Sequence, residues 1–173
     1  MLIHMRSQVR RITYDQARLE RSAREILADV GETSAELGIL FVGDQRMRGL
    51  NRRYRGKDRT TDVLAFAMRD VHAGKRRGAR GKGLRVKRKI LLSPAAHLMP
   101  DMLGDVVISI PTAWRQAKEA RRSLDEELAC LLVHGILHLC GYDHERGEKE
   151  ARRMHRREGM ILRSIARLMN RAG

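Results

Sequence analysis

Apolar residues recur along the chain with two different spacings, and each change of spacing marks a new element. Leu19, Ala23, Ile26, Leu27 and Val30 fall on one helical face, and Gly31 is placed to end that helix. Leu37–Val42 is an unbroken apolar run bounded by Gly43-Asp44, the pattern of a buried strand. Asp44 is placed to cap a second helix, which carries Met47 and Leu50 and ends around Tyr54–Gly56. Further buried strands read across Asp62–Met68 and Asp105–Ile110, the latter stopped by Pro111. A short helix then passes through Trp114 and Ala117. Ser123 and Glu126 form a capping box for a longer helix with the stripe Leu124, Leu128, Leu131, Leu132, Ile136 and Leu137. After a break at Gly141, a last helix is predicted from about Glu145 to Leu168. Weak alternation at Val9 and Ile12 places an edge strand near Ser7–Thr13. Strands interleaved with helices and followed by helices predict an α+β fold, a single domain with a small mixed sheet packed by helices.

The 173 residues suit one domain. With 42% hydrophobic residues against 33% charged, the chain has the balance of a globular protein. Six aromatic residues leave the core to Leu, Ile, Val, Met and Ala. The net charge of +15 draws polyanions, above all nucleic acid, although a basic surface alone binds them only loosely. Most of that charge is concentrated. Arg69–Lys89 holds ten Lys or Arg, one acid (Asp70) and four glycines, and reads as a flexible basic loop or hairpin inserted in the domain. It supplies +9 of the +15, leaving +6 for the other 152 residues. Cys130 and Cys140 lie in an apolar helical stretch without CxxC spacing, which argues for a reducing compartment rather than a disulfide scaffold. The first residues lack the apolar run of a signal peptide, and no stretch approaches the roughly 18 apolar residues of a membrane span. A soluble, cytoplasmic protein is the expectation.

Candidate chemistry is confined to one segment, His134-Gly-Ile-Leu-His138-Leu-Cys-Gly141-Tyr-Asp-His144. Residues i and i+4 of a helix carry both imidazoles on one face, where two ring nitrogens can share a metal ion. Gly141 lets the backbone leave the helix so that His144 can return as a third ligand. Three protein nitrogens leave one position for water, the mark of a catalytic rather than a structural zinc site. This spacing matches the metzincin proteases at the ligands and the glycine. Where those enzymes carry their catalytic glutamate, however, the chain has Gly135, which disfavours peptide hydrolysis. Cys140 lies about 240° around the helix from His134 and reads as a core thiol. Asp143 suits either of two roles, orienting a ligand histidine or capping the last helix. His4, His72, His97 and His155 are isolated and read as surface residues.

The segment HGILHLCGYDH, His134–His144, resembles the signature of the YbeY family, bacterial endoribonucleases of ribosomal RNA maturation. Leu50–Phe66 (LNRRYRGKDRTTDVLAF) and Leu103–Ser109 (LGDVVIS) match in order and spacing. The resemblance spans about Leu37 to Leu168 and leaves out the basic stretch. It implies one zinc ion held by His134, His138 and His144, and a functional arginine in the Tyr-Arg-Gly-Lys-Asp segment, at Arg55. It further implies cleavage of single-stranded RNA, with the 3′ end of 16S ribosomal RNA, the small ribosomal subunit and ribosome quality control as the setting. The chain departs from the family pattern at Thr60, Ala65 and Ala67, none of them a ligand.

On this reading Arg55 binds the charge that builds on the phosphate, since a guanidinium offers two parallel donors. Read without the resemblance, Arg55 is one cation among Arg52, Arg53 and Arg55 at a helix end. Few aromatics are available to stack bases, so contacts are predicted to follow the RNA backbone. The basic stretch reads as an added RNA or ribosome contact, a tether beside the zinc cleft. Two alternatives remain open: a metallohydrolase of zincin-like spacing, and a non-catalytic ribosome assembly factor with a structural zinc.

Overall fold

A computed structural model of the chain describes residues 1–9, 12–69 and 101–169. Its elements are β1 (Leu2–Ser7), α1 (Gln16–Asp29), β2 (Glu36–Val42), α2 (Asp44–Arg55), β3 (Val63–Ala67), β4 (Met102–Ser109), α3 (Ile110–Glu119), α4 (Leu124–Leu139), a 3-10 turn (His144–Arg146) and α5 (Glu148–Met169). The four strands form one mixed sheet in the order β1-β2-β4-β3. β1, β2 and β4 run parallel, and β3 closes the far edge antiparallel to β4.

The central strands β2 and β4 are buried along their whole length, as parallel strands covered on both faces must be. Leu37, Ile39 and Phe41 of β2 pack with α1, α4 and α5, while Leu40 and Val42 face α2. The sheet is therefore the middle layer of three. The larger core lies under α4, whose residues Leu128, Leu132, Val133, Ile136 and Leu137 are fully buried. These elements bear out the α+β reading and its mixed sheet.

Several boundaries differ from those the sequence predicts. The edge strand is Leu2–Ser7 rather than Ser7–Thr13, because Ile3 and Met5 supply the inward alternation in register with Leu37 and Ile39. Gly43, not Asp44, takes the cap position of α2. Asp44 opens the helix instead, and its carboxylate accepts from Ser109 Oγ (2.5 Å), Thr112 Oγ1 (2.7 Å) and Arg115 Nη2 (2.8 Å), tying α2 to α3. Pro111 does not merely stop β4; it sits in the first turn of α3, where its missing N–H costs nothing. β4 begins earlier than predicted, at Met102, with a bulge where Leu37 pairs with Gly104. Gly104 holds φ +150°, and a Cβ there would lie 2.3 Å from the Phe66 carbonyl oxygen. The last helix starts at Glu148, since the turn His144–Arg146 intervenes. Of the basic stretch, only Arg69 falls among the described residues. Its Nη1 donates to Glu32 Oε2 (2.6 Å) and its Nη2 to the Asp101 carbonyl (2.8 Å), a structural use of the first cation. No described helix is long and apolar enough to cross a membrane.

Candidate metal centre

α4 packs against β3, β4, α1, α3 and α5, which leaves it very little free surface. From Glu127 to Leu139 every position is buried except Cys130, His134 and His138. Those three are four residues apart and form a row along the helix with steps of about 6 Å. Both ends of the helix are fixed. Ser123 Oγ accepts from the Glu126 N–H (3.2 Å), and Glu126 Oε2 accepts from the Ser123 N–H (2.7 Å). At the other end Gly141 takes φ +86°, and the N–H groups of Gly141 and Tyr142 donate to the carbonyls of His138 and Leu137, both at 3.0 Å. The chain then doubles back. Asp143 accepts from the Glu145 N–H (3.0 Å) and pairs with Arg146 Nε (3.0 Å). These contacts make Asp143 the cap of the short turn rather than of the last helix, which starts only at Glu148. The cap fixes the turn on which His144 stands.

The result brings His134, His138 and His144 together, with one nitrogen of each within 4.8 Å of the others. Ring centroids are 4.6 Å apart for His134 and His138, 5.2 Å for His134 and His144, and 5.1 Å for His138 and His144. The two Nε2 atoms on α4 stand 3.1 Å apart. Two nitrogens each about 2.0 Å from a tetrahedral zinc ion stand about 3.3 Å apart, so the pair fits such an ion closely. The chemistry of the donors agrees. Burial, then the neighbouring rings of His134 and His144, lower the His138 pKa to about 4, so the ring is neutral, the form that ligates, at neutral pH. The pocket is open: His134 and His138 are half-buried and His144 is exposed.

One further residue belongs to the cluster. Glu158 of α5 places Oε1 2.6 Å from His134 Nδ1. A hydrogen bond to His134 holds the Glu158 carboxyl below its usual range despite its partial burial. With Nδ1–H donating to the carboxylate, His134 turns its Nε2 lone pair towards the other two rings. Glu158 escaped the sequence reading, although a signal was present. It interrupts the apolar row Met154, Ile161 and Ile165 at helical spacing, an acid where a core residue belongs.

Gly135, between the two α4 ligands, faces the sheet. A Cβ there would lie 2.7 Å and 3.1 Å from the two methyls of Val106, and 3.4 Å from Val63 Cγ2. The zincin glutamate is thus not merely missing; its place points into the core. Arg55 ends α2, and its Nη2 donates to Glu145 Oε1 (2.9 Å), next in the chain to His144. Arg53 instead stacks on Tyr54 at 5.5 Å. Arg55 is therefore the member of that run that reaches the histidine loop.

Both cysteines are half-buried free thiols. Burial pushes Cys140, packed against the core, up to about 11; it also raises Cys130, whose Sγ accepts from Arg122 Nη1 (3.2 Å). His4 pairs with Glu36 (2.5 Å) at the sheet edge, and His155, exposed on α5, stands with its Nδ1 3.7 Å from Glu158 Oε2; neither is one of the three clustered histidines. His72 and His97 lie outside the described residues.

The family model described as Endoribonuclease YbeY matches residues 3–166. A protein of Geobacter metallireducens named endoribonuclease YbeY is 39% identical over 168 residues, covering 96% of this chain and 97% of its own length. One of Aquifex aeolicus with the same name is 36% identical, covering 88% and 85%. One of Anaeromyxobacter is 43% identical over 147 residues, and there the match spans 63% of the relative. A Thermotoga maritima protein solved in solution shares the fold, with a TM-score of 0.61 over 99% of this chain and 93% of that one, at 20% identity. With the family model spanning both α4 and the helix behind it, the chain belongs to the YbeY family.

Proposed function

We propose that the chain is a metal-dependent endoribonuclease that cuts single-stranded RNA, with His134, His138 and His144 holding one zinc ion and Arg55 binding the scissile phosphate. The observation that carries the proposal is the open cluster of three imidazoles with an arginine of α2 held against the loop that bears His144. A zinc ion there supplies a Lewis acid that polarises a phosphoryl oxygen and acidifies water. The rest is the work of the chain. Glu158 orients His134, burial keeps His138 neutral, and the capped turn presents His144. Arg55 is held by Glu145 in an exposed pair, an interaction of about 1 kcal/mol or less that a phosphate oxygen can replace. The guanidinium then offers two parallel donors to the oxygens on which charge accumulates.

The cellular setting we infer is maturation of the 16S ribosomal RNA 3′ end on the small ribosomal subunit, with ribosome quality control, in the cytoplasm. The protease alternative loses its general base, because position 135 faces Val106 rather than the cluster. A closed structural zinc site is disfavoured by the exposure of His144. The test combines metal analysis with RNA cleavage for His138→Ala. The substitution is expected to remove both metal and cleavage, and cells carrying it should accumulate unprocessed 16S 3′ ends. Full cleavage by a metal-free variant would end the metallonuclease reading. Retained RNA binding by a protein that never cuts, even when loaded with zinc, would favour the assembly factor.

A further inference from the structure

Outside the cleft, the strongest feature is the outer face of α5. The helix holds seven Lys or Arg against three Glu, a net of +4. Outside the basic stretch Arg69–Lys89 the chain carries only +6, so most of that remainder sits on this one element. Its placement is not random. Lys149, Arg152, Arg153, Arg156, Met160, Arg163 and Arg167 are all exposed, and their spacing puts them on one side of the helix. The row runs about 27 Å at 1.5 Å per residue. Glu158, the acid that holds His134, is on the opposite side.

The acids on this helix do little to neutralise the row. Arg152 and Arg153 pair loosely, at 3.5 Å each, with Glu148 and Glu150 of the first turn. Among the described residues no acid lies within ion-pair distance of Arg156, Arg163 or Arg167. The row also joins the candidate metal centre: Arg153 stacks on Tyr142 at 5.0 Å, and Tyr142 is two residues before His144.

We propose that this face is a docking surface for double-helical RNA, gripped through its phosphate backbone. The proposal rests on the endoribonuclease reading and adds where the folded part of the substrate sits. A straight, rigid row of cations complements the regular line of phosphates along a helical strand. The face offers no Trp, Tyr or Phe on which unpaired bases could stack, which favours duplex over single strand. A lipid surface is a poorer match, since the apolar side of α5, with Met154, Ile161 and Ile165, is already buried in the core. A stem held on α5 would deliver its single-stranded flank past Tyr142 to the three histidines.

The experiment uses the full chain with Arg156, Arg163 and Arg167 all changed to Gln, and a companion with all three changed to Lys. The probes are a short RNA hairpin with a single-stranded 3′ tail, and the tail alone. The Gln protein should bind the hairpin roughly tenfold or more weakly, and the slope of log affinity against log salt should fall by roughly 2–3. Cleavage of the tail alone should be unchanged, and the Lys protein should retain most of the binding. Hairpin affinity and salt slope equal to those of the parent would overturn the docking surface while leaving the nuclease reading intact. An equal loss on hairpin and tail would overturn it too, by making the row part of the cleft. Loss of binding only to vesicles of acidic phospholipid would assign the row to a membrane. Failure of the parent itself to bind or cut either RNA would overturn the nuclease reading and the docking surface together.

Discussion

Two glycines in helices should respond to alanine with opposite signs. Gly49 on α2 has nothing within 4 Å of where a Cβ would stand, whereas Gly135 on α4 would place one 2.7 Å and 3.1 Å from the methyls of Val106. Alanine favours a helix over glycine by about 1 kcal/mol. Gly49→Ala should therefore raise stability by about that amount, or roughly 2–4 °C in Tm for a chain of this size. At Gly135 the same gain meets an overpacking cost of roughly 1–3 kcal/mol. The cost should fall in the upper part of that range. Val106 is fully buried on a central strand, and both its methyls are in the way, so rotating a β-branched side chain clears neither. A net loss of about 1–2 kcal/mol follows, a Tm lower by roughly 3–6 °C. Thermal unfolding of the two single variants, with Val106→Ala as a third and Gly135→Ala/Val106→Ala as a fourth, provides the assay. On the Val106→Ala background the clash is gone, and Gly135→Ala should become neutral or favourable. A rise in Tm for Gly135→Ala in the otherwise unchanged protein would refute the close approach of α4 to the sheet.

Three further outcomes are expected. Glu158→Gln keeps the shape but loses the charge facing His134, and zinc affinity measured against a chromophoric chelator should drop roughly 10–100-fold; unchanged affinity would remove Glu158 from the site. Burial alone would raise the Asp44 carboxyl, but Ser109, Thr112 and Arg115 together outweigh it and hold its pKa below the usual value. A depressed folded pKa contributes stability that is present above the unfolded pKa, about 3.9, and is lost as pH falls through the folded one. Asp44→Asn should accordingly lower urea resistance at neutral pH and flatten its decline in acid, and parallel acid limbs for the two proteins would contradict this. The Cys140 thiol, pushed up to about 11 by burial, should alkylate roughly a hundredfold or more slowly in the native protein than in urea, followed by mass spectrometry of its peptide. Rapid native labelling would place it outside the core.

What the sequence disclosed and what it withheld follow from how far each feature depends on local chain geometry. The capping box at Ser123 and Glu126, the i, i+4 pair His134 and His138, and the break at Gly141 are all local, and each is found where the spacing places it. The edge strand was misplaced because its inward side shows only Ile3 and Met5, no stronger a pattern than Val9 and Ile12, which also pack on the core. Asp44 looked like a cap because it precedes a helix, yet its partners are 65 to 71 residues away and no local rule reveals them. Glu158 is 24 residues from its histidine. Gly135 was legible as a missing base; its steric reason depended on knowing that β4 lies beneath it.

The three imidazoles are not held with equal firmness. His134 and His138 stand on the helix at the centre of the core, whose amides should exchange with solvent only when the whole domain opens. His144 stands on an exposed three-residue turn fastened by surface contacts, chiefly the Asp143 cap, the Asp143–Arg146 pair and the Arg55–Glu145 pair. Local opening of that turn costs far less than unfolding, so a bound ion would lose this ligand first and leave through it. The residence time of a bound metal would then be set by the stability of one small turn rather than by that of the protein.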